Sequence, residues 1–221
     1  MNFLADWQRI LQMIRARPIW ARKYDWRKYW SVIAYREYSE SPDPIMRARA
    51  FEMVLQNIPL GFYDGEKICG SCQGFLSDSI SPNLSQTESL SSIKEYDFVG
   101  HRDFVSGWDH SLADYPTLLS IGIEGFIKNA QNAQSRFEQK NDTQKVIFLE
   151  SILICLQAFK SFILRWALEA EKLKLIGQAK ILRKIAGPAP QTLQEALQLV
   201  WMTHIVFKTE NRYHMALGRI D

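Results

Sequence analysis

The stretch that decides the fold is Val146 to Leu168, VIFLESILICLQAFKSFILRWAL. It is the most apolar window of the chain and is long enough to cross a bilayer, yet Glu150, Gln157, Lys160 and Arg165 interrupt it. That pattern reads as a buried helix of a large core rather than a membrane span. Val146, Leu149, Leu153, Leu156, Phe159, Phe162, Ile163 and Trp166 recur at helical spacing and should form its buried stripe. Asp142-Thr143, just ahead, offers an N-cap. A helix this apolar needs other helices around it, and the flanking sequence supplies them.

Upstream, Gly107 to Phe126 reads GWDHSLADYPTLLSIGIEGF. Asp114 is placed to accept from free backbone N–H groups at a helix start, and Pro116 fits the first turn, where its missing N–H costs nothing. Leu118, Leu119, Ile121, Ile123, Phe126 and Ile127 then form a broad apolar stripe. The polar run Trp108, Asp109, His110, Ser111 is thus a loop presented by a buried helix, a common way to place a functional side chain. Two readings of His110 stay open: an imidazole that only satisfies its loop, or one that does chemistry.

Further upstream, Pro44 opens a helix through Ile45, Ala48, Phe51, Met53, Val54 and Leu55, broken by Pro59 and Gly61. Asp64-Gly65 marks a turn, and Lys67-Ile68-Cys69 is short enough for a strand. Gln73 to Glu95, with sparse apolar residues, reads as irregular. Downstream, Gly177 marks a break before a helix to Ile185. In GPAPQTLQEALQLVW, Pro188 and Pro190 stop that helix. Thr192 and Glu195 have the spacing of a capping box, and Leu193, Leu197, Val200, Trp201 and Ile205 should line the buried face that follows.

The N-terminal thirty residues differ in kind. Asn2 to Arg17 has the apolar spacing of an amphipathic helix ended by Pro18. IWARKYDWRKYW then interleaves aromatics with cations, a composition that suits stacking on single-stranded nucleic acid or lying on an anionic membrane. The favoured reading is an arm whose rings pack on the body while Arg and Lys stems cover it. Seven cations against two acids give these thirty residues a charge of +5, within a formal net charge of +3 for all 221. The basicity is local, so the chain as a whole is not expected to bind nucleic acid.

The cysteines are Cys69, Cys72 and Cys155. An odd, small number without a secretory signal points to a reducing, cytoplasmic compartment. Cys69-Gly-Ser-Cys72 has the spacing of a redox motif or half a zinc site, but zinc needs a second ligand pair that the sequence does not supply, so no metal is expected. No nucleotide fingerprint, GxSxG elbow or HExxH occurs.

Four blocks in this order resemble the N-terminal part of glycyl radical enzymes, the pyruvate formate-lyase and glycerol, choline and diol lyase superfamily. They are a helix, a proline break and an acidic strand ending in glycine, matched by Glu66, Ile68 and Gly70; and the His110 loop followed by Asp114-Tyr115 and an apolar helix with paired glycines. They continue with the long helix bearing Arg165-Trp166-Ala167, and with the proline link followed by Thr192, Glu195, Ala196, Leu197, Gln198, Glu210, Gly218, Arg219 and Asp221. Leu193 stands where the family has Phe, and Cys69 where it is usually aliphatic.

The resemblance implies a mainly α fold: the N-terminal helical portion of a glycyl radical enzyme α/β barrel, with at most a few short strands. It divides the chain into a basic aromatic arm and helix, residues 1–34, and a partial pyruvate formate-lyase-like domain, 35–221. It implies a truncation after Gly-Arg-x-Asp, with the thiyl-forming cysteine and radical glycine lying downstream and no catalytic residue among those present. Asp109 and His110 become substrate-binding residues, and His110, in place of an arginine, points to alcohol-type substrates rather than a pyruvate-type acid. Ala216 stands where alcohol-handling members often supply a hydroxyl. Glu195, Gln198, Glu210, Gly218, Arg219 and Asp221 are structural, and no cofactor is bound, the relatives using a glycyl radical installed by a radical SAM activase. The expected activity is radical lyase, dehydratase or formate acetyltransferase chemistry, absent from the chain alone. The expected partner is a C-terminal half, or a second copy, on an exposed barrel-facing surface, with no nucleic acid and no membrane span. The alternative is a non-catalytic helical protein that packs on a partner chain.

Overall fold

The structure is a computed structural model and describes residues 26–58, 60–62, 66–70 and 112–210. Six helices run through them, and no strand occurs among the described residues. They are α1 (Trp26–Glu37), α2 (Asp43–Asn57), α3 (Tyr115–Glu138), α4 (Thr143–Lys172), α5 (Ile176–Ile185) and α6 (Leu193–Thr209).

The apolar window is α4, and it is the hub: α2, α3 and α5 all pack on it, α1 packs on α2, and α6 packs on α5 and α3. It is the one described helix long and apolar enough to cross a membrane by length and composition. Its C-terminal half is core. Phe159, Phe162, Ile163 and Trp166 are buried as expected, with Ala158, Ala167 and Ala170 letting neighbours approach. Trp166 meets Phe62 edge-on at 5.1 Å and Phe162 at 6.2 Å, the geometry ring quadrupoles prefer. The N-terminal half departs from expectation: Val146, Leu149, Leu153 and Leu156 are only half-buried, and Phe148 is exposed. At 1.5 Å rise per residue, the 10 residues of α5 cover only about a third of the 30-residue helix, and in the N-terminal half Ile154 is buried against Ile45 and Ala48 of α2.

Local chemistry sets most helix ends. Asp114 Oδ1 accepts from Thr117 N–H at 3.2 Å, and Asp142 Oδ1 from Lys145 N–H at 3.2 Å, so both expected N-caps form. α2 stops at Ile58, whose ψ of 139° is the extended backbone that a following proline imposes. Its last carbonyls are then capped from a distance, as Arg165 donates to the oxygens of Leu55 and Ile58. The break after α4 lies at Lys174 rather than Gly177. Lys174 adopts φ 60°, with Leu175 N–H donating to Ala170 O and Lys174 N–H to Glu171 O. That is a Schellman closure built on a lysine. Gly177 sits inside α5 in open space.

Two further expectations need correction. Among the described residues Lys67-Ile68-Cys69 is not a strand: the Cys69 backbone pairs with the Gln198 side chain of α6, and Glu66 O, just ahead, accepts from Gln178 of α5. Leu193 and Leu197 are not buried: they are 76% and 40% exposed, while Leu199, Met202, Ile205 and Val206 carry the core. α6 is apolar on more than one face, so its neighbours choose the side that is buried.

Candidate functional site

Residues from α5 and from the segment around Cys69 meet α6, and the start of α3 lies in the same hydrophobic core. The first of these meetings is at the entry to the helix. Thr192 Oγ1 accepts from Glu195 N–H at 3.2 Å, one half of the expected capping box. The Glu195 carboxylate reaches back one residue beyond the cap, where Oε2 accepts from Gln191 N–H at 2.7 Å. Its Oε1 receives Lys184 Nζ of α5 at 2.9 Å. The Gln191 amide, then Lys184, holds this carboxyl below the usual range.

One turn further on, Gln198 is 2% exposed and turns its carboxamide onto the backbone of Cys69. Cys69 N–H donates to Oε1 and Nε2 donates to Cys69 O, both at 2.8 Å. A side-chain amide presents a donor and an acceptor side by side, so it can stand in for a β-ladder partner. Trp201 Nε1 extends the clamp to Gly70 O at 3.0 Å, and Gln178 of α5 donates to Glu66 O at 3.2 Å. Gly70 takes φ 111°, which calls for glycine, and a Cβ there would lie 2.4 Å from Ile205 Cδ1 and displace the end of that side chain.

Cys69 is fully buried in this clamp, and burial, with Glu66 nearby, pushes its thiol up to about 12. Burial likewise pushes Cys155 up to about 11. Both stay protonated at neutral pH and are poor nucleophiles and ligands. His204, next along this face, stacks on Trp201 at 5.4 Å, and burial, then Lys208, keeps its imidazolium below the usual range. Its buried Nδ1 has no partner among the described residues. Among those residues no group of three or more His, Cys, Asp or Glu could hold a metal ion.

The last part is the start of α3. Tyr115 is 1% exposed and Leu118 is buried behind it, which anchors the helix that follows the polar loop. Asp109 and His110 lie outside the described residues, as do Cys72, Ala216, Gly218, Arg219 and Asp221. Of the residues singled out from sequence, Glu195 and Gln198 are thus brought to one helix face. Glu210 closes the same helix, its N–H reaching the oxygens of Phe207 and Val206.

Residues 87–221 match the family described as pyruvate formate lyase-like, which is more than half of the chain. The chain belongs to that family. The (2S)-3-sulfopropanediol dehydratase of Klebsiella oxytoca is 24% identical to it over 85% of this chain and 31% of the dehydratase's own length. The B12-independent glycerol dehydratase of Clostridium butyricum, solved with glycerol bound, superposes with a TM-score of 0.75 at 21% identity. That match covers 89% of this chain and 33% of the dehydratase. A glycyl radical enzyme of Archaeoglobus fulgidus gives 0.68 at 20% identity, over 88% and 33%. The chain therefore spans about a third of the length of these relatives. In sequence and fold it corresponds to the N-terminal part of a glycyl radical enzyme, and its helical character agrees with that place.

Within this pyruvate formate lyase-like chain, the sequence pattern pointed to Glu195 and Gln198 but not to what they hold. Gln178 and Lys184, which complete the polar framework, carried no local signal of their own, and Arg165 stood out in sequence without any sign of the carbonyls it caps. One signal was readable: Glu195, Gln198 and Trp201 recur every three residues, a polar-headed stripe along an otherwise apolar helix.

Proposed function

We propose that this chain is the N-terminal segment of a glycyl radical lyase of the dehydratase class and is inert by itself. The observation that carries the reading is the family match over residues 87–221, together with dehydratase relatives of three times the matched length. On this reading the helices form the wall on which a barrel packs, and the loop before α3 faces substrate. His110 donates a hydrogen bond to a substrate hydroxyl and Asp109 accepts one, an arrangement suited to a small polyol rather than a carboxylate. The thiyl cysteine and radical glycine come from the remainder of the enzyme, in the same polypeptide or a partner, and a radical SAM activase installs the radical there. The enzyme works in the cytoplasm and uses neither nucleic acid nor membrane. Exposed Leu193 and Leu197 on α6 belong to the surface that the remainder covers.

The test is anaerobic activation followed by electron paramagnetic resonance. The 221 residues alone, with activase, should give no glycyl doublet. Joined to the remainder, they should give the doublet and consume glycerol or propane-1,2-diol, and His110→Gln should slow consumption without removing the doublet. A doublet on the 221 residues alone, or unchanged turnover in the His110 variant, overturns the proposal.

A further inference from the structure

α3 runs from Tyr115 to Glu138, but its backbone is not continuous. Gly122 takes φ 65° and ψ −178°, a region essentially confined to glycine. Glu124 N–H therefore leaves the helix ladder and donates to Gly187 O at 2.9 Å, across to the proline link between α5 and α6. The link lies so close that a Cβ on Gly122 would come within 2.4 to 2.5 Å of Pro188 C, Ala189 N and Gly187 O. These are backbone atoms on both sides, which cannot swing away as a side chain can. The atoms nearest a Cβ on Gly187 would be those of the Glu124 side chain, a flexible group whose carboxylate is also tied to Lys160 of α4 at 3.0 Å.

We infer that Gly122 and Gly187 form a fixed backbone joint. It divides α3 into two separately held rods and ties the heading of the first, residues 115–121, to the link that leads into the α6 entry. The inference stands on this geometry and is independent of whether His110 meets substrate.

Residue-resolved hydrogen exchange on the 221-residue chain tests it. In the wild type, the amides of Leu118 to Ile121 and of Glu124 should share one opening reaction, distinct from that of Ile127 to Arg136. Gly122→Ala should speed exchange in the first group by about tenfold or more while Phe159 to Ala170 of α4 stay within about twofold. Gly177→Ala, in open space, should leave both groups unchanged. A single opening reaction along the whole of α3 in the wild type overturns the joint, even if Gly122→Ala does not fold. Equal acceleration of α3 and α4 in a folded Gly122→Ala overturns it as well.

Discussion

Replacing Gln198 by alanine removes both partners of the Cys69 backbone at once. Cys69 is fully buried and Gln198 is 2% exposed, so no water takes over the orphaned N–H and C=O. Each buried group left unpaired costs about 1–3 kcal/mol, and the pair should therefore cost about 2–6 kcal/mol. Against a total stability of about 5–15 kcal/mol for a domain, that is readily measured by urea unfolding followed by tryptophan fluorescence. Leu197→Ala, one residue away but 40% exposed, supplies the contrast and should cost under about 1 kcal/mol. Gln198→Glu sharpens the test. Protonated, the carboxyl reproduces the pair, its carbonyl oxygen accepting from Cys69 N–H and its hydroxyl donating to Cys69 O. Ionised, it is a buried charge facing a carbonyl, so its folded pKa lies above the unfolded value. Stability contributed by a group raised in this way is present below the unfolded pKa and lost as pH rises through the folded one. The glutamate variant should therefore approach the wild type in acid and fall away toward neutrality. A cost for Gln198→Ala within 0.5 kcal/mol of that for Leu197→Ala, or a glutamate variant whose deficit does not grow with pH, would refute the clamp.

Lys174→Gly should raise stability by about 0.5–1 kcal/mol in the same assay, because glycine occupies the left-handed position without the Cβ penalty that lysine bears. Thr192→Ala should lower it by about 1 kcal/mol through loss of the α6 cap. The Glu195 carboxyl is depressed, so its contribution is present above the unfolded pKa and lost as pH falls through the folded one. Thermal unfolding should accordingly show Glu195→Gln well below the wild type at pH 7, with the gap closing in strong acid. Tyr115→Phe should be neutral or stabilising, since the buried hydroxyl finds no partner among the described residues; calorimetry showing a loss above about 1 kcal/mol would reveal one.

Much of this protein was legible in one dimension. The periodicity of Leu118–Ile127, Val146–Trp166 and the run after Thr192 gave the helices, because burial of one face is a local pattern. The caps at Asp114, Asp142 and Thr192 were legible for the same reason: donor and acceptor lie three residues apart. The ordered blocks gave the family, later met in the match over residues 87–221. Tertiary structure alone decided which face of an all-round apolar helix is hidden, and it put Leu193 and Leu197 outside. It also decided that Cys69 answers to Gln198 across 129 residues, that Arg165 caps α2 across more than a hundred, and that Gly122 bends α3 toward Gly187. In each case a backbone group lacks its local partner and takes one from a distant helix, and nothing in the neighbouring residues encodes which helix that is.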